Sequence, residues 1–382
     1  MTTKKPFNNV LIVPLVMALI WSIYSLQFLK TGIFWDLGIY EKAVSSFHLG
    51  ENPYALTGYL SFVYHPLVLR FMAMFGTHLK EVLILLYIGS LTFFLISLRN
   101  IYMGWLSSFL AFAYCGVGTI SIGSGNITVF MHLILLGVLL NSIALENKDS
   151  EISYNPFILS ALVFSIVKPY MLSYLFIPII ISWGTPHGHL IRRNIAIKGI
   201  AVLMILLASS IYFGNEFYDF LIAVKRQTIG KHDLGYGIAM FFYEYYSSAG
   251  NLIYRAFALQ FIIVGALIVL ALWLSKRNGL IQSPNFVLLL YFLLTLANPR
   301  LKVYDLFPAL IALFIFFFSI KPGLWFVKFF VVAYTLSLFL LYTPIPLRHV
   351  QFLLDPLNIY YLTIGIIFAA IIVIIQNTRS TK

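Results

Sequence analysis

The residues best suited to chemistry are few, and they fall into three groups. Asp36 sits in Phe34-Trp35-Asp36-Leu37-Gly38-Ile39-Tyr40-Glu41-Lys42-Ala43, directly after a long apolar run. A carboxylate there is placed to take a proton from a hydroxyl on a lipid-borne substrate. The plainer alternative is a helix cap or a partner for the helix dipole. Lys168 follows the apolar run Ala161-Leu162-Val163-Phe164-Ser165-Ile166-Val167 and precedes Pro169. An ionisable group near a membrane is costly, and an ammonium there suits pairing with a phosphate as a compact point charge. A snorkelling interfacial lysine accounts for the same position. The third group is Asn298-Pro299-Arg300-Leu301-Lys302-Val303-Tyr304-Asp305, with two cations and a carboxylate in six positions. Arginine grips phosphate with two parallel bonds and tyrosine adds a hydroxyl donor, although a solvated turn with an internal ion pair fits too. Arg348-His349, beside Pro344 and Pro346, is a weaker member.

Local elements must hold these groups in place. From Asp36 to Phe47 helical spacing puts Asp36, Tyr40 and Ala43 on one face. Gly50 suits the end of that helix, and Asn52-Pro53 forbids its continuation. Pro66 to Phe75 is apolar but short and contains Arg70, which predicts a helix lying in the interface. Gly123-Ser124-Gly125-Asn126 interrupts apolar sequence, and irregular backbone at that depth is tolerated where it lines a cavity. It is not a phosphate loop, because the Gly-Lys-Ser/Thr ending is absent. Asn126-Ile127-Thr128 matches a glycosylation sequon but abuts an apolar run, so we read it as accidental.

The whole chain sets the medium in which these groups work. Of 382 residues, 61% are hydrophobic and 10% charged, with a mean hydropathy of +0.93. Soluble domains are nearer about 45–50% apolar and about 25% charged. A soluble enzyme, a disordered chain and a nucleic-acid-binding domain are therefore excluded, leaving an all-α polytopic membrane protein. About twelve runs are long or apolar enough to span. They lie near 9–29, 80–98, 101–120, 126–145, 157–168, 170–184, 199–213, 252–275, 281–297, 304–320, 324–342 and 357–376. Lys168-Pro169 divides 157–184 in two, since proline removes a backbone donor that lipid cannot replace. The chain reads as one transmembrane domain over 1–382, with external loops of about 30–79 and 214–250.

Orientation follows from the basic turns. Lys4, Lys5, Arg192, Arg193, Lys198, Lys276, Arg277 and Lys382 all fall on one side if both termini are cytoplasmic. No cleavable signal is evident, because the first apolar run is long enough to span. This accounts for only part of the net charge of +12. Lys168, Lys225, Arg226, Arg300, Lys302 and Arg348 lie on the other side, where an anionic ligand would explain them. The single cysteine, Cys115, cannot form an intramolecular disulfide. The eight histidines are scattered; His187 and His189, the closest pair, suit a polar turn better than a ligand set.

These pieces resemble the membrane-embedded glycosyltransferases of the C-type fold. They are most similar to the polyprenol-phosphate-mannose-dependent mannosyltransferases, glycosyltransferase family 87, which includes bacterial phosphatidylinositol mannoside mannosyltransferases. Asp36-Leu37-Gly38-Ile39-Tyr40, Gly50-Glu51-Asn52-Pro53-Tyr54 and Tyr64-His65-Pro66-Leu67 resemble the family's first-loop pattern and carry the match. Gly125-Asn126-Ile127-Thr128 stands where the family often has Gly-Gln-x-Asn. Ser165-Ile166-Val167-Lys168-Pro169-Tyr170 resembles its Lys-x-x-Pro region with the proline displaced. Asn298-Pro299-Arg300 through Tyr304-Asp305 resembles its late Ser/Asn-Pro…Tyr-Asp segment.

The resemblance implies an inverting glycosyltransferase at the outer face of a membrane, expected to be the bacterial inner membrane. The donor would be a sugar, expected to be mannose, on a polyprenyl monophosphate; the acceptor would be a lipid or a glycan. Asp36 would be the general base. Lys168, Arg300, Lys302 and Arg348 would hold the donor phosphate. Tyr40, Asn52, Tyr54, Tyr64, His65, Asn126, Tyr304 and Asp305 would shape the substrate pocket, and the 214–250 loop would cover the acceptor. Cationic side chains stabilise a departing phosphate by themselves, so no cofactor is required, although a divalent metal is compatible. Membrane lipid, not nucleic acid, is the expected surrounding partner. Two other readings use the same basic groups: a transporter or flippase of an anionic lipid-linked substrate, and a polymerase or ligase using a diphosphate-linked glycan.

Overall fold

A computed structural model describes residues 32–55, 61–114, 117–146, 154–183, 185, 188–230, 252–277, 281, 283–298 and 300–319, with isolated positions between 12 and 26. Among the described residues all regular structure is helical. Of the described helices, four are long and apolar enough to cross a membrane, or five if one bent pair forms a single span. Shorter apolar helices accompany them. The chain is a helical, multi-pass membrane protein. Cys115, Arg348, the 343–356 turn and the runs at 324–342 and 357–376 lie outside the described residues, as does most of 9–29.

The helices in chain order are α1 Trp35–His48, α2 Pro66–Ala73, α3 Leu79–Ser97, α4 Gly104–Ala113, α5 Val117–Ser124, α6 Ile127–Glu146 and α7 Asn155–Val167. A 3-10 segment, Pro169–Leu175, leads into α8 Phe176–Ile181. Then follow α9 Gly188–Phe213, α10 Asn215–Lys225, α11 Leu252–Arg277, α12 Pro284–Leu296 and α13 Val303–Ser319. α13 is the hub and packs against α4, α5, α6 and α12. α12 and α13 are apolar on every side and buried on every side, the pattern of a central helix. α9, apolar beyond its basic first turns, exposes Ile197, Ile200, Leu203, Met204, Leu207 and Ile211. Water would not tolerate that stripe; lipid does.

The first loop folds as expected. α1 covers the predicted helix, and Gly50 follows its last turn with φ +73°, the left-handed conformation that glycine adopts without strain. α2 forms where the short apolar run predicts it, with His65 as its N-cap. α1, α2 and Tyr54, Phe62 and Tyr64 make a small second core beside the large one around α13. Phe130 and Val167 pack against both, so the two cores share a seam.

Three expectations need correction. Arg192, Arg193 and Lys198 are expected in a basic turn, but α9 begins at Gly188 and carries them on its first turns. Arg and Lys are good helix formers, and Arg192 is held by the Ser182 carbonyl at 3.2 Å and by the Trp183 ring. The described start of the 214–250 loop is also helical. α10 packs on the first loop through Phe217 and Phe220, which flank the His65 ring, and through buried Ala223. Finally, 101–120 is not one straight span: α4 and α5 are bent by 84°. Gly118 permits the close approach of Phe112, which a Cβ would block.

Candidate functional site

The seam between the two cores holds Asp36, and its placement begins with backbone. Phe34 precedes α1 in the left-handed region, φ 62°, and its amide donates to the Gly123 carbonyl at 2.6 Å. Gly125, φ +66°, lies against Phe34, and a Cβ there would stand 2.8 Å from Phe34 Cδ1. The start of α1 is thereby pinned to the break between α5 and α6, where Asn126 sits. Asn126 Nδ2 donates to Asp36 Oδ2 at 2.6 Å. The Asn126 side-chain oxygen accepts from the Thr128 amide at 2.9 Å and from the Tyr64 hydroxyl at 3.4 Å. Tyr40, one turn after Asp36, meets the Tyr64 hydroxyl at 3.2 Å and accepts from the Ile127 amide at 3.4 Å. Asp36 lies in the first turn of α1, whose N-cap is Phe34. Its carboxylate faces the seam.

The cations gather on the same side. Lys168 ends α7 in extended backbone, and its ammonium lies 4.8 Å from the centre of the Tyr64 ring. Burial pushes the Asp36 carboxyl up to about 6, opposed by the Asn126 hydrogen bond and then by Lys168, Lys302 and Arg300. All three cations are therefore within electrostatic reach of this carboxylate. Lys302, in the turn before α13, is pushed down to about 8 by burial, against the pull of Asp305.

Asp305 is the second buried carboxylate, 2% exposed. Its Oδ2 accepts from the Lys302 amide at 2.9 Å, the reach-back of a third-position carboxylate that caps a helix start. The same oxygen accepts from Asn298 Nδ2 at 3.0 Å, while Asn298 Oδ1 accepts from the Arg300 amide at 3.2 Å. The turn carrying Arg300 and Lys302 is thus folded over Asp305. Oδ1 of Asp305 accepts from the Tyr170 hydroxyl at 2.8 Å, two positions past Lys168. Tyr304 lies half-buried against the large core in the first turn of α13.

The remaining pocket candidates hold the first loop together instead of meeting Asp36. Asn52 donates to Asp219 Oδ2 of α10 at 2.9 Å and accepts from the Tyr54 amide at 2.9 Å. The Tyr54 hydroxyl donates to the Tyr64 carbonyl at 3.0 Å. His65 accepts the Leu67 amide on Nδ1 at 3.1 Å, so its Nε2 hydrogen is the one that meets Ser210 at 3.2 Å. Arg70, exposed on α2, pairs with Glu216 at 2.6 Å and lies over the Phe47 and Phe213 rings. Arg348 and the later part of the 214–250 loop, with His232, Asp233 and Glu244, fall outside the described residues.

One neighbour of Asp305, and the tyrosine that holds that neighbour, were not legible from motifs. His132, in the middle of α6, is fully buried and stands 3.6 Å from Asp305 Oδ1. Tyr291, on α12, meets His132 Nδ1 at 3.1 Å. The available signal was a single histidine in the otherwise apolar stretch from Val129 to Leu140 of α6, which is costly unless it has a purpose. No group of three or more His, Cys, Asp or Glu side chains suited to a metal occurs among the described residues. Comparison with protein-family models, curated protein sequences and solved structures finds no match to the chain.

Proposed function

We propose that the protein is a polytopic membrane glycosyltransferase of the family-87 kind, with about twelve spans and both termini in the cytoplasm. It transfers a sugar, mannose on the resemblance, from a polyprenyl monophosphate to a lipid or glycan acceptor at the outer face. One observation carries this reading. A buried carboxylate with a raised proton affinity, Asp36, shares a seam with Lys168, Arg300 and Lys302, which reach it from two separate segments. A base next to a cluster of cations is what transfer from a phosphate leaving group needs. Asp36 takes the proton of the acceptor hydroxyl. The acceptor oxygen bonds to the anomeric carbon from the face opposite the phosphate. The bond from that carbon to the phosphate oxygen breaks, and its electron pair leaves with the lipid phosphate. The cations stabilise the charge that builds on that oxygen, where fixed charges act without reorganising.

Asn126 supports the assignment by holding one oxygen of Asp36 and leaving the other for the acceptor. Purified protein, supplied with polyprenyl-phosphate sugars and membrane acceptor lipids with or without chelator, tests the reading. Transfer is expected from a monophosphate-linked sugar, and Asp36→Asn is expected to lose it, by about a hundredfold or more. Near-normal transfer by that variant would remove Asp36 as the base. Lipid movement across the bilayer with no sugar transfer would favour a flippase.

A further inference from the structure

His132 plays no part in the step above, yet it is fully enclosed. Four elements meet at it: α6, the 3-10 segment, α12 and α13. The hydrogen-bond balance fixes which ring nitrogen carries hydrogen. A carboxylate only accepts, so the single Tyr170 hydroxyl proton goes to Asp305 Oδ1, 2.8 Å away. His132 Nε2 lies 2.7 Å from the same hydroxyl oxygen and must therefore donate to it. Nδ1 faces the Tyr291 hydroxyl at 3.1 Å. Tyr291 is in turn stacked on Tyr174, whose hydroxyl meets Thr295 at 2.6 Å.

Asp305 then links the two cation-bearing segments. One oxygen holds the turn of Arg300 and Lys302, through Asn298 Nδ2 and the Lys302 amide. The other holds Tyr170, in the segment that begins directly after Lys168. We propose that His132 is a positioning residue for the donor phosphate: through its Nε2–H bond to Tyr170 it fixes the Asp305 carboxylate that keeps Lys168 and the Arg300–Lys302 turn aimed at one anion. This rests on the reading of the seam as a phosphate site. It assigns the histidine a role in anion affinity and none in proton transfer to the acceptor.

The test uses the full-length protein in nanodiscs and geranylgeranyl monophosphate as the probe. A glutamine amide reaches the place of a histidine Nε2, whereas an asparagine amide reaches only that of Nδ1. His132→Ala and His132→Asn are expected to weaken probe binding by about tenfold, and His132→Gln to stay within about threefold of the native protein. In transfer assays the Ala and Asn variants raise the donor KM and leave kcat within about twofold. Tyr170→Phe gives a loss of similar size, and combining it with His132→Ala adds little, because both cut one link. Native-like binding by His132→Ala would overturn the proposal. So would equal losses in the Gln and Asn variants, or losses that follow a fall in melting temperature. Failure of the native protein to bind the probe would instead remove the phosphate site itself.

Discussion

Asp36 is held in a condition that costs the fold something. Its carboxyl titrates at about 6 instead of 3.8, because burial disfavours the ionised form more than Asn126 and the cations favour it. A carboxyl raised in this way favours the folded state fully below its unfolded value and loses that advantage as pH rises through about 6. At pH 8 the ionised group therefore opposes folding by up to about 3 kcal/mol. Asp36→Asn is expected to melt higher than the native protein at pH 8 while losing transfer, with the difference shrinking toward pH 4. Equal melting at both values would show that the charge carries no such cost. The same values set the activity profile. With the base ionised above about 6 and Lys302 charged below about 8, kcat/KM for the donor is expected to be bell-shaped between those limits. An alkaline limb that survives Lys302→Arg unmoved would detach it from Lys302.

At the scale of elements, two junctions decide the site. The first is the contact of Phe34 with Gly125. A residue with a Cβ at position 125 must adopt φ +66° and also displace Phe34. Gly125→Ala is expected to cost about 2–4 kcal/mol in stability. Because the same contact sets the start of α1, it should also lower kcat by shifting Asp36 from Asn126. A variant with native melting and native kcat would show that α1 is placed some other way. The second junction is the break at Lys168-Pro169, where α7 ends and a 3-10 segment replaces the helix. The proline accounts for the break, and the break lets Lys168 and Tyr170 face different partners. Both junctions are visible in sequence as glycine- or proline-marked interruptions of apolar runs. Their partners are not, because nothing local in Gly125 specifies Phe34.

For the whole molecule, the proposed orientation, drawn from the division of basic residues between the two faces, predicts which side the seam opens to. With Cys115 replaced by serine, a cysteine at exposed Glu51 is expected to react with a membrane-impermeant maleimide added outside intact spheroplasts. A cysteine at exposed Arg193 should react only after lysis. The reverse pattern would place Asp36 in the cytoplasm and exclude an outer-leaflet donor. The clamp of α10 on the first loop belongs to the same scale. Asn52 to Asp219 and Arg70 to Glu216 are surface contacts worth about 1 kcal/mol or less each, so the aromatic packing around His65 holds the clamp more than the charges do.

The chain by itself determined a great deal: the membrane, the helix after Asp36, its glycine end, the break at Lys168 and the residue types of a carboxylate beside a group of cations. These follow from short-range physics, namely hydropathy, caps and the missing donor of proline. Only the tertiary structure decided which helices are central and which residues meet. The window Ile127–Ala144 and helix Gly188–Phe213 have hydropathies of 2.2 and 2.1, yet 72% of the first window and 11% of the second are buried. Lipid and protein core are both apolar, so a span has no polar face to mark its outside. That is why Asp36 and Asn126 could each be singled out in sequence, whereas their pairing emerged only once α1 met the start of α6, and the enclosed His132–Tyr170–Asp305 link only once α6, α12 and α13 were packed together.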